Sequence, residues 1–272
     1  MKGTIKFFIF FIAIFILLVM LIGRASESDE VITQKLTEDC QEHSFRTTLD
    51  NKPAIQHRRA WLDYSRTSYC TDYHVAEKSF NISARSRNNI SISNVEDYAK
   101  YWGNLYKKLY QLDAPSLKLL EDSLQTIRDK KQLNRTDFAH AIVTFVQDIP
   151  YSYIINAPCS DQHRSHPCVE NIKYGILSPI EFLYTLNGDC DTRSVLLYAL
   201  FRHFNYEPLV VISAQYQHAM LALNITATGE YLAHKGKKFY FWETTNVGWK
   251  PGMLPPDVNN KRYWKIALDY EY

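Results

Sequence analysis

The fold of this chain is most restricted by residues 187–194 (Asn-Gly-Asp-Cys-Asp-Thr-Arg-Ser) and the apolar run that follows them. The run continues to about Phe204 and is apolar on nearly every face, which is typical of a helix at the centre of a protein. Gly188 predicts a tight turn just before it, so that Cys190 begins the helix. Because the first backbone N–H groups of a helix lack partners and carry partial positive charge, this position favours a thiolate over a thiol.

Two residues in strand-like runs downstream complete a set with Cys190. We predict strands at about 209–213, 219–224 and 239–243, with His218 at the start of the second and Glu243 at the end of the third. If these two strands are antiparallel neighbours, His218 lies level with Glu243, and their side chains can form a hydrogen bond. The order nucleophile, base and carboxylate suggests a thiol enzyme in which His218 accepts the proton of Cys190 and Glu243 orients the imidazole. Taken singly, a histidine in a strand is more often structural, and a glutamate at a strand end is usually solvated.

Two carboxylates beside the cysteine oppose this chemistry. Asp189 and Asp191 flank Cys190, and neighbouring negative charge disfavours a thiolate. We expect the helix terminus and His218 to outweigh them only if both carboxylates point into solvent or pair with Arg193.

Cysteine usage fits an oxidising compartment. The five cysteines are Cys40, Cys70, Cys159, Cys168 and Cys190. The pairs Cys40–Cys70 and Cys159–Cys168 are plausible disulfides, which leaves Cys190 as an odd thiol. A buried and inert cysteine is the simpler explanation of an odd thiol, but its position at a glycine turn before a helix favours reactivity.

Residues 159–168 also allow a metal site. Cys159, His163, His166 and Cys168 supply two thiols and two imidazoles, which is the ligand set of a tetrahedral zinc site. The spacing is not that of a usual zinc finger, and an exported protein favours a disulfide closing a short loop. We therefore expect a disulfide here, no metal and no cofactor.

The N-terminus predicts export. Lys2 and Lys6 come before an unbroken apolar run at residues 7–22, and polar sequence follows. This is the pattern of a signal peptide or an uncleaved signal anchor, so the membrane is an expected partner and the rest of the chain is placed outside the cytoplasm, on the periplasmic side in a Gram-negative cell. A net charge of +2 gives no strong field, so we expect no nucleic-acid partner.

The patterns predict an α+β protein with four segments: a signal peptide or anchor at 1–26, a linker at 27–45, a small β-rich region at 46–93 and a larger domain at 94–272. The β-rich region is predicted from short alternating runs that include Phe80, Ile82 and Ala84. Helices are predicted to start near Asn94, at Pro115 and near Asn134. Residues 151–187 read as a loop-rich stretch.

Three of these segments together resemble the core of the transglutaminase-like superfamily. They are residues 188–193 (Gly-Asp-Cys-Asp-Thr-Arg), 216–220 (Tyr-Gln-His-Ala-Met) and 240–245 (Tyr-Phe-Trp-Glu-Thr-Thr). Residues 145–151 are also similar to bacterial exported members. The resemblance covers roughly residues 94–272, is strongest over 137–252, and departs from the family in having Glu243 where Asp is usual.

The resemblance implies a papain-like fold, in which the helix bearing Cys190 packs on an antiparallel sheet carrying His218 and Glu243. It implies acyl-enzyme chemistry on a peptide or protein amide, with the oxyanion held by the backbone N–H of Cys190 and a second donor. Gln147, at a helix end before the site, is a candidate for that donor, although such a residue more often satisfies a local backbone group. The expected activity is a cysteine peptidase or amidase; a binding or scaffold module and an acyl transferase are the alternatives.

Overall fold

The computed structural model describes residues 40–93, 95–163 and 165–271, which form six α-helices and ten strands. The helices are α1 Glu77–Asn89, α2 Tyr98–Asp113, α3 Lys118–Lys131, α4 Arg135–Gln147, α5 Pro179–Thr185 and α6 Cys190–His203. The strands are β1 His43–Leu49, β2 Lys52–Leu62, β3 Ser68–Ala76, β4 Tyr153–Ile154, β5 Cys168–Val169, β6 Pro208–Ser213, β7 His218–Leu223, β8 Tyr231–His234, β9 Lys237–Trp242 and β10 Lys265–Leu268. The predicted signal segment and most of the predicted linker lie outside the described residues. The α+β prediction is confirmed, and the segment boundaries stay predictions.

A three-stranded antiparallel sheet, in the order β1-β2-β3, forms the small N-terminal β region. It packs on α4 through Trp61, whose indole N–H donates to the carbonyl of Ala141 at 3.0 Å and whose ring meets Phe145 edge-on. This sheet ends at Ala76, earlier than the sequence pattern predicts.

The prediction that Phe80, Ile82 and Ala84 lie in a strand is wrong, because residues 77–89 form α1. Ser83 and Arg87, one helical turn apart, face the protein interior. Arg87 forms a buried bidentate ion pair with Glu181 of α5, with N–O distances of 2.7 and 2.9 Å. This tertiary pairing with a distant residue outweighs the local alternation of apolar side chains.

Helices α2, α3 and α4 occur close to where the sequence predicts them. Asp97, three residues after the expected start at Asn94, caps α2 by accepting the N–H of Lys100. Asn134 caps α4 in the same way. Pro115 lies in a single 3-10 turn, and α3 begins after it.

The larger sheet has five antiparallel strands in the order β10-β6-β7-β9-β8. Helix α6 packs against the central strand β7 and against β6, and its side chains from Val195 to Leu200 are almost fully buried. Strands β8 and β10, at the two edges, are not among the strands predicted from the sequence, and helix α5 lies within the stretch 151–187 that was predicted as loop-rich.

The register of β7 and β9 differs from the predicted one. Leu221 lies opposite Trp242 and Ala222 opposite Phe241, and continuing this register sets Met220 opposite Glu243. His218 is therefore a diagonal neighbour of Glu243, not level with it. Since both side chains are on one face of the sheet and are long enough to span the diagonal, they still meet.

The cysteines follow the predicted pattern. Cys159 and Cys168 form a disulfide, Cys40 and Cys70 are also disulfide-bonded, and Cys190 is a free thiol. These bonds fit an oxidising compartment. Within the described residues, no helix is both long enough and apolar enough to cross a bilayer.

Candidate active site

Cys190 is the first residue of α6 and lies at the end of the sheet where β7 begins. Its N-cap is Asp189, whose carboxylate accepts the N–H of Thr192 at 3.0 Å. The thiol is only 8% exposed, and the backbone N–H of Ala219 is directed at its sulfur. Because Ala219 follows His218 in the chain, the sulfur lies against the backbone at the start of β7.

Gly188 is required here for space and not for a left-handed turn. A Cβ atom at this position would lie 2.8 Å from two ring carbons of Phe182 and 3.1 Å from the Thr192 methyl group. The left-handed residue is Leu186, which ends α5 with φ of 56°. The glycine lets the start of α6 approach α5 closely.

His218 and Glu243 form a hydrogen-bonded pair as predicted, with 2.8 Å between His218 Nε2 and Glu243 Oε2. The other oxygen, Oε1, accepts the N–H groups of Thr244 and Thr245 and the Thr245 hydroxyl, at 2.7 to 2.9 Å. Burial raises the pKa of Glu243. The hydrogen bonds from His218 and Thr245 and the charge of His218 lower it by more, so the net shift of the pKa is downward. Burial lowers the pKa of His218, whereas Glu243, Asp191 and Asp257 raise it and prevail. The carboxylate of Glu243 therefore stabilises positive charge on the His218 ring.

Asp189 and Asp191 do not adopt either of the two arrangements expected from the sequence. Asp189 is buried as the N-cap, and Asp191 accepts a hydrogen bond from the hydroxyl of Tyr106 on α2 at 2.7 Å. Burial raises the pKa of both carboxyl groups, and the charge of Asp191 adds to the effect on Asp189. Asp189 is excluded from solvent, Asp191 is half-buried with its carboxylate on Tyr106, and neither pairs with Arg193.

The pKa of Cys190 is consequently raised well above that of an ordinary thiol. Burial is the largest cause, followed by the charges of Asp191, Asp189 and Glu243, and the N–H of Ala219 opposes them only in part. The condition set for a resting thiolate, that both carboxylates point into solvent or pair with Arg193, is therefore not met, and burial and the two flanking carboxyl groups outweigh the helix terminus.

Arg193 is fully buried and binds the backbone around the site. Its three guanidinium nitrogens donate, at 2.6 to 3.3 Å, to five carbonyl groups: those of Gly188, Val146, Thr244, Ile149 and Pro150. Burial lowers the pKa of Arg193 to about 10, so the side chain remains charged at neutral pH. It joins the end of α4, the turn before α6 and the segment after Glu243.

Gln147 lies at the end of α4, but its amide nitrogen does not face an empty oxyanion position. The nitrogen donates to the carbonyls of Glu243 and Trp249, at 2.6 and 3.0 Å. The geometry thus gives Gln147 a positioning role on the segment that carries Glu243, in place of the oxyanion-donor role predicted for it.

Tyr151 is a site residue that the sequence reasoning did not single out. Its hydroxyl lies beside the backbone N–H of Cys190, where an oxyanion formed at this cysteine would be held. Burial and then the charge of Cys190 raise the pKa of Tyr151, so the hydroxyl keeps its proton. The available signal was its place in residues 145–151, which lead into the site.

A cleft of about 600 Å³ opens at His218. Tyr151, Tyr153 and His166 form one side of it with mutual edge-on ring contacts, and Val247 lies on its rim. The Cys159–Cys168 disulfide closes the loop that carries His166. Since both sulfurs are used in that bond, the zinc alternative at residues 159–168 is wrong, and the described residues contain no other cluster suited to a metal ion.

Comparisons of the chain with protein-family models, with curated proteins and with solved structures found no match.

Proposed function

We propose that this protein is an exported, membrane-associated thiol hydrolase of the transglutaminase-like superfamily, with a papain-like core and a peptide or protein amide as substrate. The observation that carries the proposal is the 2.8 Å His218–Glu243 hydrogen bond beside a free cysteine at a helix N-terminus. In this proposal the nucleophile comes from the start of α6, the base from the start of β7 and the orienting carboxylate from the residue after β9.

The proposed reaction begins with the neutral thiol. The reacting form of His218 is the neutral imidazole with its proton on Nε2, where Glu243 accepts it, so that Nδ1 takes the proton of Cys190 as the sulfur attacks the amide carbonyl carbon. The carbonyl π electrons move to oxygen, and the resulting oxyanion is held by the Cys190 N–H and the Tyr151 hydroxyl.

The tetrahedral intermediate then collapses to the acyl-enzyme. The C–N bond breaks as the imidazolium of His218 donates its proton to the leaving amine, and the acyl group stays on Cys190. A water molecule, deprotonated by His218, attacks the thioester and releases the carboxylic acid and the thiol. The raised pKa of the resting thiol is compatible with this route, since the proton is transferred during the attack and not before it.

A non-catalytic binding module is the second candidate, and one observation favours it. A thiol that is 8% exposed, with its pKa raised by burial and by neighbouring carboxylates, has the properties of an unreactive cysteine. In that case the His218–Glu243 pair serves to hold β7 and β9 together.

Enzyme assays of two variants in α6 distinguish the thiol hydrolase from the binding module. Full-length protein is incubated with detergent-extracted envelope proteins, and new N-termini and released ammonia are measured by mass spectrometry and a coupled assay. Cys190→Ala is expected to lose about a thousandfold or more of the activity. Ser194→Ala is the matched control, because it removes a buried hydroxyl that has no hydrogen-bond partner in the described structure.

The thiol hydrolase is supported if Ser194→Ala keeps wild-type activity while Cys190→Ala loses it. Retention of full activity by Cys190→Ala contradicts the proposal. If the wild type releases neither product from any extract, the binding module takes its place.

A further inference from the structure

A groove of about 960 Å³ lies apart from the cleft at His218. It follows one side of α2 from Asp97 to Lys107, and its opposite wall is formed by β10 and the residues that lead into it. Gly103 of α2 approaches so closely that an added Cβ would lie 1.9 Å from the carbonyl oxygen of Ala267. The backbones of α2 and β10 are therefore in direct contact at the base of the groove.

The groove presents positive charge without balancing acids. Lys100, Arg262 and Lys265 line it, are exposed, and have no hydrogen-bonding or ion-pair partner for their charged groups within the described residues. Both of its aspartates are engaged: Asp97 caps α2, and Asp269 binds His234 and Lys235 at 2.6 and 3.0 Å. An anionic ligand would find three cations with no competing partner.

Exposed aromatic rings lie among these cations. Tyr98 is 40% and Tyr263 45% exposed, and both line the groove. Flat rings between positive side chains suit a ligand with both apolar and acidic groups.

The groove is connected to the candidate active site along one face of α2. Tyr98, Trp102 and Tyr106 succeed one another at helical spacing, with ring centroids 6.2 and 5.8 Å apart. At the far end of this row, Tyr106 donates to Asp191, next to Cys190. A ligand in the groove thus lies one row of aromatic side chains from the thiol.

We propose that this groove binds an acidic, extended segment of the polypeptide substrate, away from the bond that is cleaved. The proposal rests on the proposed function, which makes the substrate a polypeptide. The ten-residue advance from Asp97 to Lys107 corresponds to about 15 Å of helix, which matches about four or five residues of extended chain. The concave shape fits a single chain better than a lipid surface, and the disulfides place the protein where nucleic acid is not the expected ligand.

Peptide binding tests the groove without requiring catalysis. Full-length Cys190→Ala protein in detergent is titrated into a short fluorescein-labelled peptide of glutamate and tyrosine, and fluorescence anisotropy is measured. The control peptide has glutamine in place of glutamate. We expect the acidic peptide to bind at least about tenfold more tightly than the control, and this preference to decrease as salt is added.

Two double variants locate the site. Lys100→Gln with Lys265→Gln is expected to weaken the acidic peptide by about tenfold, whereas Lys52→Gln with Lys78→Gln, at exposed lysines outside the groove, leaves binding unchanged. Equal binding of both peptides, equal effects of both double variants, or equally tight binding of a single-stranded oligonucleotide would overturn the proposal. Since the assay uses an inert variant, specific binding without any hydrolysis by the wild type would refute the enzyme and leave the groove as an acidic-peptide site.

Discussion

At the scale of single residues, Glu243 sets the orientation of the His218 imidazole and the stability of its positive charge. One carboxylate oxygen binds Nε2 of the imidazole, and the other accepts three hydrogen bonds from Thr244 and Thr245. Because all these donors favour the ionised form, Glu243 is a stable buried anion that fixes the ring and supports its positive charge.

Glu243→Gln is expected to lower the pKa of His218, because it removes the hydrogen-bonded charge that raises that pKa against burial. In the wild type, a folded-state pKa above ~6.5 means that the ion pair contributes its full stability below the unfolded value and loses it as pH rises through the folded value. The measurement is an NMR titration of the histidine Cε1 protons, with His218→Gln used to assign the resonance.

Glu271→Gln, at an exposed position near the C-terminus, is the control and should leave the His218 titration unchanged. An identical His218 pKa in the wild type and Glu243→Gln would contradict the role assigned to Glu243.

Residue types at the site could be predicted from the sequence, but their protonation could not. Glycine, cysteine, histidine and glutamate at element ends indicate a thiol site. The surroundings of Asp191 depend on Tyr106, 85 residues earlier in the chain, and no local pattern reports such a contact. For this reason the sequence favoured a thiolate, whereas the folded chain favours a thiol.

At the scale of elements, Arg193 holds together the segments from which the site is built. It contacts the carbonyls at the end of α4, before α6 and after β9. A carbonyl group left buried without a donor costs about 1–3 kcal/mol. The guanidinium therefore supports the loop geometry before Cys190 and after Glu243.

Arg193→Met is expected to lower the free energy of unfolding by about 3–5 kcal/mol, because it leaves several buried carbonyls without donors. Urea denaturation followed by tryptophan fluorescence measures the change. Arg85→Met, on the exposed face of α1, is the control and should change stability by less than about 0.5 kcal/mol. A similarly small change for Arg193→Met would contradict this structural role.

Elements with strong local signals were predictable, and those that depend on distant partners were not. Asn134 marks the start of α4 in both sequence and structure, and α2 begins after Asp97, three residues beyond the predicted start. Helix α1 was predicted as strand because its inward-facing residues are Ser83 and Arg87, which are polar and are paired only in the folded protein. The diagonal register of His218 and Glu243 likewise depends on strand pairing that single strands do not specify.

At the scale of the whole molecule, the N-terminal sheet and the larger sheet are linked through α4 and α6. Trp61 packs on α4, and α6 packs on β7. Strands β8 and β10 were not predicted from the sequence. Each is a short, partly exposed strand at an edge of its sheet, where apolar and polar residues alternate little. The general class, α+β with an N-terminal β region, followed from the order of patterns along the chain.

The proposed reaction depends most on Cys190 being a nucleophile whose proton passes to His218, and alkylation tests this directly. Full-length protein is treated with iodoacetamide without reductant, and the rate at Cys190 is followed by peptide mapping as a function of pH. We expect Cys190 to be the labelled cysteine, with an apparent pKa above ~8.5, and Asp191→Asn to lower that pKa by removing a charge that raises it. His218→Ala is expected to slow labelling at neutral pH by about a hundredfold. Equal rates of Cys190 labelling at neutral pH in His218→Ala and the wild type, or a wild-type Cys190 that is not labelled at any pH, would contradict proton transfer from Cys190 to His218.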